Sequence, residues 1–323
     1  MKNATISFFA VITFSLSAQI RDTTYWNKNF EAGLNVNQTN FSAEWKIAQG
    51  GLSSGAVAGF LNAKSEYVKK RSRLVNDFQS QYGLFTNEQI YNYNLRKNID
   101  RLFFDNIYSY GLSKDWSMFA SATFQTQFTA GYTYVKYQNS NSLPTDIDKS
   151  KALPDSLERR VSNFLAPGYL DEGVGLMWTP TTYFSARFAP IAFRQTFMTD
   201  DIVFNNTKKE EVKKDGTKDT VSFGVKKGTK VRNQFGLNAL VKFDKDLYSN
   251  LNLKILGQYF SGYENLMVGV VRFDAVITAK VTKYINVNLT GVVMYNEDQI
   301  KYVQANEQLA LGIVYKVTNI PVK

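Results

Sequence analysis

From about residue 25 onward, apolar and polar residues alternate with a period of two. Along 116–130 the even positions are Trp116, Met118, Ala120, Ala122, Phe124, Thr126, Phe128 and Ala130. The odd ones are Ser117, Phe119, Ser121, Thr123, Gln125, Gln127 and Thr129. Thr126 alone breaks the apolar set and Phe119 alone the polar one. Successive side chains of a strand point to opposite faces, whereas a helix repeats its apolar face every three to four residues, so this segment predicts a strand with one greasy side. The pattern recurs in Phe30–Val36, Phe235–Phe243, Leu251–Tyr259, Val271–Ala279, Ile285–Val293 and Leu309–Val317. Twelve strands are expected, at 29–38, 53–69, 73–86, 100–112, 116–130, 168–179, 183–197, 231–243, 249–261, 266–281, 285–296 and 302–317.

Most of these runs reach ten residues. Strands of soluble sandwiches average about five or six, while a tilted strand that crosses a bilayer needs about nine to eleven. The connections sort by parity. After the first, third, fifth and seventh strands come long polar segments at 39–52, 87–99, 131–167 and 198–230. After even strands the links are short, at 70–72, 113–115, 180–182, 244–248 and 282–284, and of the odd connections only those near 262–265 and 297–301 are brief. Tight turns on one rim and long loops on the other are the habit of outer-membrane barrels, and an even strand count returns both ends to the tight-turn side. Aromatic residues beside those turns (Tyr67, Tyr110, Trp116, Trp178, Tyr183, Phe243, Tyr248, Tyr284, Tyr315) fit a headgroup-level girdle. The expected fold is all-β: an up-and-down antiparallel transmembrane barrel of about twelve strands, outer-membrane type. A soluble exported β-sandwich that binds glycans is the competing fold.

The start of the chain fits that location. Met1-Lys2-Asn3 precedes a mostly apolar run from Ala4 to Leu16 and then Ser17-Ala18-Gln19. The run is too short to span a bilayer as a helix and reads as a signal peptide over 1–18. A periplasmic segment at 19–28 and a barrel from 29 to 323 follow. Composition then narrows the chemistry. The chain has neither cysteine nor histidine. Thiolate nucleophiles, His-based triads and imidazole-bound metals are therefore excluded. No cofactor is expected, and Asp146-Ile147-Asp148 reads as a surface turn because a full calcium loop of oxygen ligands is lacking.

Three blocks carry a family resemblance. Phe124–Tyr132 (FQTQFTAGY) follows Arg96–Asp100 and Tyr110-Gly111; Phe164–Leu170 (FLAPGYL) precedes Gly173, Gly175 and Ala189-Pro190; the third runs from Asn306-Glu307 to Leu311–Lys316. Together they resemble the domain of unknown function 3078, a family of diderm bacteria. The resemblance implies an outer-membrane barrel and no established activity.

Parity assigns Glu31, Asp77, Asp105, Arg187, Arg232, Lys242, Lys254, Arg272, Asp274 and Lys280 to the inner face. Charges at membrane depth pair or touch water, so two outcomes are open. Ion pairs can close the lumen, or a narrow polar pore can remain whose surplus Lys and Arg favours anions. A pair of carboxylates set for hydrolysis has no spacing to support it, and no enzyme activity is expected. The 200–230 segment holds eight Lys and six Asp/Glu and predicts a hairpin around Asp215-Gly216, with Val203, Thr207, Val212, Val221 and Phe223 alternating. Its interleaved acids argue against nucleic acid. The expected partners are outer-membrane lipid and lipopolysaccharide, the barrel assembly machinery during insertion, and envelope proteins at the outer loops. Two roles follow: a pore or binding protein for small polar solutes, or a scaffold or secretion-assembly component.

Overall fold

An alternating strand is stable only if its apolar side is covered and its backbone groups are paired on both edges. The computed structural model meets both demands with a ring. It describes residues 25–39, 54–87, 95–136, 156–212, 216–264, 266, 269–298 and 300–319. The strands in chain order are β1 (Trp26–Thr39), β2 (Ser54–Lys69), β3 (Ser72–Asn87), β4 (Arg96–Gly111), β5 (Trp116–Thr126), β6 (Gly131–Lys136), β7 (Ser156–Ser162), β8 (Gly168–Thr181) and β9 (Phe184–Phe197). After the helix α1 (Asp201–Thr207) come β10 (Lys209–Val212), β11 (Lys218–Ser222), β12 (Val225–Lys226), β13 (Val231–Tyr248), β14 (Leu251–Gly262), β15 (Gly269–Lys280), β16 (Ile285–Asn296) and β17 (Ile300–Asn319).

Twelve of these close into one antiparallel barrel in the order β1-β17-β16-β15-β14-β13-β9-β8-β5-β4-β3-β2. Each strand pairs with the preceding and following barrel strands in the chain, except at the seam, where β1 meets β17 from Lys28↔Asn319 to Val36↔Leu311. The described residues thus hold one closed wall rather than two stacked sheets, which sets the sandwich aside. The apolar side of each zigzag faces away from the axis: Phe235 is 68% exposed, Ile313 61% and Leu34 54%. Contiguous apolar surface of that extent needs a non-aqueous neighbour, and this is the outer-membrane barrel type. At the tight-turn rim the aromatic side chains meet in pairs: Trp116 stacks on Trp178 with centroids 6.3 Å apart, and Trp26 approaches Tyr67 at 5.2 Å. Lys245 lies 4.5 Å over Tyr183 and Lys283 4.8 Å over Tyr284.

Several expected boundaries move. The strand expected to run to residue 130 stops at Thr126, because the Asp100 carboxylate accepts the Phe128 and Thr129 amides at 2.7 and 3.0 Å and draws the chain off the ladder. The expected 131–167 loop carries the β6–β7 hairpin. The expected link at 244–248 is still strand: β13 continues to Tyr248, with a register shift at Asp246/Tyr248. β10 and β11 form the expected hairpin, but Val203 and Thr207 sit in α1 instead. Asp200 caps that helix by accepting from the Ile202 and Val203 amides. Pro190 falls at a register shift, where β8 jumps from Val174↔Ile191 to Leu176↔Phe188. Proline has no ladder donor, so a bulge is where a strand tolerates it. Glycine is required opposite: a Cβ on Gly175 would lie 2.0 Å from the Phe188 carbonyl oxygen. The signal-peptide reading (1–18), the segment up to residue 24, the first outer loop and Asp146–Asp148 lie outside the described residues.

Candidate functional site: the barrel interior

Strands that are not neighbours in the ring can touch only through its interior, so contacts between them locate the lumen. β4 and β9 are separated by β5 and β8, yet Arg187 donates to both oxygens of Asp105, at 2.9 and 3.1 Å. Lys242 on β13 reaches the same carboxylate at 3.0 Å and Asp77 on β3 at 3.4 Å. Thr123 on β5 adds its hydroxyl at 2.7 Å. Asp105 is 0% exposed and Arg187 7%. A buried carboxylate is tolerable only when so fully paired.

Around this knot the lumen is apolar. Ile107, Phe119, Met177, Ala189, Ala192 and Phe260 form a buried cluster, and Phe103 is 0% exposed. Phe119, the lone apolar member of its polar face, is one of the residues that fill the interior. The Arg187 guanidinium lies 5.9 Å from its ring centroid, within cation–π reach.

On the long-loop side of this layer the interior opens. A cavity of about 630 Å³ is lined by Asp171, Arg194, Asn238, Gln258, Arg272 and Asp298 among others. A second, of about 320 Å³, is lined by Gln81, Asn98, Arg101, Gln125, Arg272 and Gln308 among others. Gln125, Gln127, Pro167, Tyr169 and Arg272 border both. Arg194 clamps Asp171 through two nitrogens and stacks 3.9 Å from the Phe260 centroid. Arg272 holds Asp274 through Nε and Nη2, both at 2.9 Å.

Thr207 and Phe223 from the outer segment border the larger cavity, so α1 and the β10–β12 sheet form its lid. That lid has its own small core of Ala166, Met198, Val203, Phe204, Phe223 and Val225. Asp200 ties it to β7, accepting from Arg160 at 2.8 Å and Asn163 at 2.7 Å. Desolvation works against the Asp200 charge, but the hydrogen bonds from Asn163, Val203 and Arg160 outweigh it and hold the carboxyl below its usual range. Lys209 donates to the Glu297 carbonyl, and Arg232 meets Asp298 at 2.7 Å, which fastens the lid side to the β16–β17 turn.

The eight principal inner-face residues therefore separate by depth. Asp77, Asp105, Arg187 and Lys242 come together in the closing layer. Arg272 and Asp274 pair at the chamber, and Arg232 pairs at the lid. Lys254 joins none of these: it meets Asp244 at 3.6 Å near the tight turns, both half-exposed. Of the two further inner-face residues, Lys280 sits likewise against Asp246 at 3.4 Å. Four chamber residues escape the sequence reading: Arg101, Arg194, Tyr169 and Gln125. Gln125 lay on the polar face of the best alternating segment. Arg194 lies beyond the β9 bulge, which reverses its parity relative to Arg187; Arg101 shares the parity of Asp105.

No curated protein matches the chain. Among solved structures the translocator domain of the autotransporter NalP from Neisseria meningitidis is 7% identical, with 91% of this chain and 90% of that one covered and a TM-score of 0.35. The NanC porin is 8% identical over 88% of this chain and 98% of its own, with a TM-score of 0.37. An outer membrane channel from Pseudomonas putida F1 is 9% identical over 91% and 96%, with a TM-score of 0.38. Likeness at this level carries no argument about function, and the ring is read from its own strand pairing. Residues 36–132 match the family model described as Protein of unknown function (DUF3078), so the resemblance carried by the FQTQFTAGY block holds over that segment.

Proposed function

We propose that the protein spans an outer membrane and acts, without catalysis, as a lidded receptacle for small polar solutes. In this reading the chamber faces the long-loop side, and the Asp105–Arg187–Lys242 layer bars passage towards the tight turns. The observation that carries the reading is the convergence of two cations, from β9 and β13, on one fully buried carboxylate of β4 beside an apolar filling. A pore needs a continuous wet path, and in this reading the Asp105–Arg187 pair and the buried apolar cluster interrupt it, in a ring narrower than the barrels that leave an aqueous channel. Apolar residues outside and amide- and charge-lined cavities inside support the membrane setting and the solute class.

Single-channel recording in planar bilayers tests it. The wild-type chain is expected to pass little steady current, and Asp105→Ala combined with Arg187→Ala to raise the current severalfold. Steady wild-type conductance that the double variant leaves unchanged would defeat the barrier reading.

A further inference from the structure

Among the described residues, the guanidinium groups on the wall of the smaller cavity are short of close carboxylate partners. Arg101 and Arg272 both line it, and they share one carboxylate. Asp274 accepts a hydrogen bond from Arg272 Nε on Oδ2 at 2.9 Å, and its Oδ1 lies 2.9 Å from Arg272 Nη2 in an ion pair without hydrogen-bond geometry. Arg101 reaches it only at 3.9 Å, beyond hydrogen-bond range. The Nε and Nη2 of Arg101 are buried without a protein hydrogen-bond partner, and its guanidinium lies 4.7 Å over the Phe103 ring. Asp100, the other acid of the wall, is taken by Lys97 at 2.7 Å and by the Phe128 and Thr129 amides. Buried guanidinium donors left unmade are costly, and a single anion would supply what Asp274 does not.

The rest of the wall is rich in carboxamides: Gln81, Asn98, Gln125, Asn306 and Gln308. Each offers both a donor and an acceptor, which suits hydroxyl groups. From this we infer that the chamber selects small polyhydroxylated anions, with the carboxylate or phosphate held by Arg101 and Arg272 and the hydroxyls by the carboxamides. The cavity, at about 320 Å³, is of a size that takes such a molecule. The inference rests on the chamber reading above and adds a charge preference to it.

The test is titration calorimetry on the full-length protein in detergent micelles, with glucuronate, glucose 1-phosphate and glucose as probes. At least one of the two anions is expected to bind about tenfold or more tightly than neutral glucose, from a charge-assisted bidentate contact. Which anion wins distinguishes carboxylate from phosphate. Arg101→Gln is expected to erase the preference and Arg101→Lys to keep part of it. Excess chloride should weaken the anion and not glucose, a readout that needs no variant to fold. Equal affinity for glucose and both anions would overturn the charge preference and leave the chamber reading standing. Absence of binding by all three would overturn both.

Discussion

The most demanding consequence of the closing layer is what happens when its central charge is removed without removing its volume. In Asp105→Asn the Arg187 guanidinium, 7% exposed, loses the carboxylate that it holds through two contacts at 2.9 and 3.1 Å. Lys242 loses a partner at 3.0 Å but retains Asp77 at 3.4 Å. Breaking a buried pair from one side costs about 3–5 kcal/mol, because the orphaned charge stays desolvated. Asp77→Asn provides the internal control. It removes one longer contact from a lysine that is 30% exposed and still paired with Asp105, so its cost should stay below about 1 kcal/mol. Urea unfolding in detergent, followed by fluorescence of the four tryptophans, reads both values. Adding Arg187→Gln to Asp105→Asn should recover part of the loss, since no unpaired guanidinium then remains. If the two Asp→Asn variants unfold within about 1 kcal/mol of each other, the charge knot does not organise the lumen.

Three further outcomes follow. Leu289→Arg, on the outward face of β16, should destabilise the barrel by about 2–4 kcal/mol in lipid, read by folding titrations, whereas Asn288→Arg on the inward face should cost much less. Asp200→Ala removes the α1 cap at the Ile202 and Val203 amides and the Arg160 tie; hydrogen exchange of 201–226 should quicken by a factor matching about 1–2 kcal/mol while the barrel strands are unaffected. The Asp200 carboxyl is held below its ordinary value in the folded state. Its contribution to the lid is therefore complete above the usual carboxylate pKa of about 4 and is lost as pH falls through the lower folded value; protection of the lid amides, taken relative to intrinsic exchange at each pH, should fall only at the acid end, and a flat profile would contradict it.

The barrel wall was legible because its physics is local. Alternation follows from the pleat, and each short link forces its two strands into one hairpin, so the strand that opens at Trp116 and the strand Ile285–Asn296 needed no information from elsewhere to be recognised. Boundaries failed where a distant side chain intervened, as when Asp100 captures the Phe128 and Thr129 amides. Helix α1 was missed because Val203 and Phe204 are apolar neighbours without a repeating turn, and the Asp200 cap and contacts from distant residues such as Ala166, Met198, Phe223 and Val225 hold it there. Parity put Asp105 and Arg187 on the correct face. It could not say that strands separated by two others would join them, since that depends on the circumference of the closed ring. Arg101 illustrates the remaining limit: its interest lies in the hydrogen bonds it does not make, and no sequence pattern encodes these.

The seam between Trp26–Thr39 and Ile300–Asn319 has a bearing on biogenesis. Every other pairing joins strands that follow one another along the polypeptide, so the wall can grow hairpin by hairpin as a curling sheet. Until the final segment arrives, that sheet keeps two raw margins of unsatisfied amides and carbonyls, which hydrocarbon cannot solvate and which invite other chains. Completion of the ring is thus an all-or-nothing act of the twenty residues of β17. A polypeptide halted before β17 would be adhesive cargo rather than a smaller barrel.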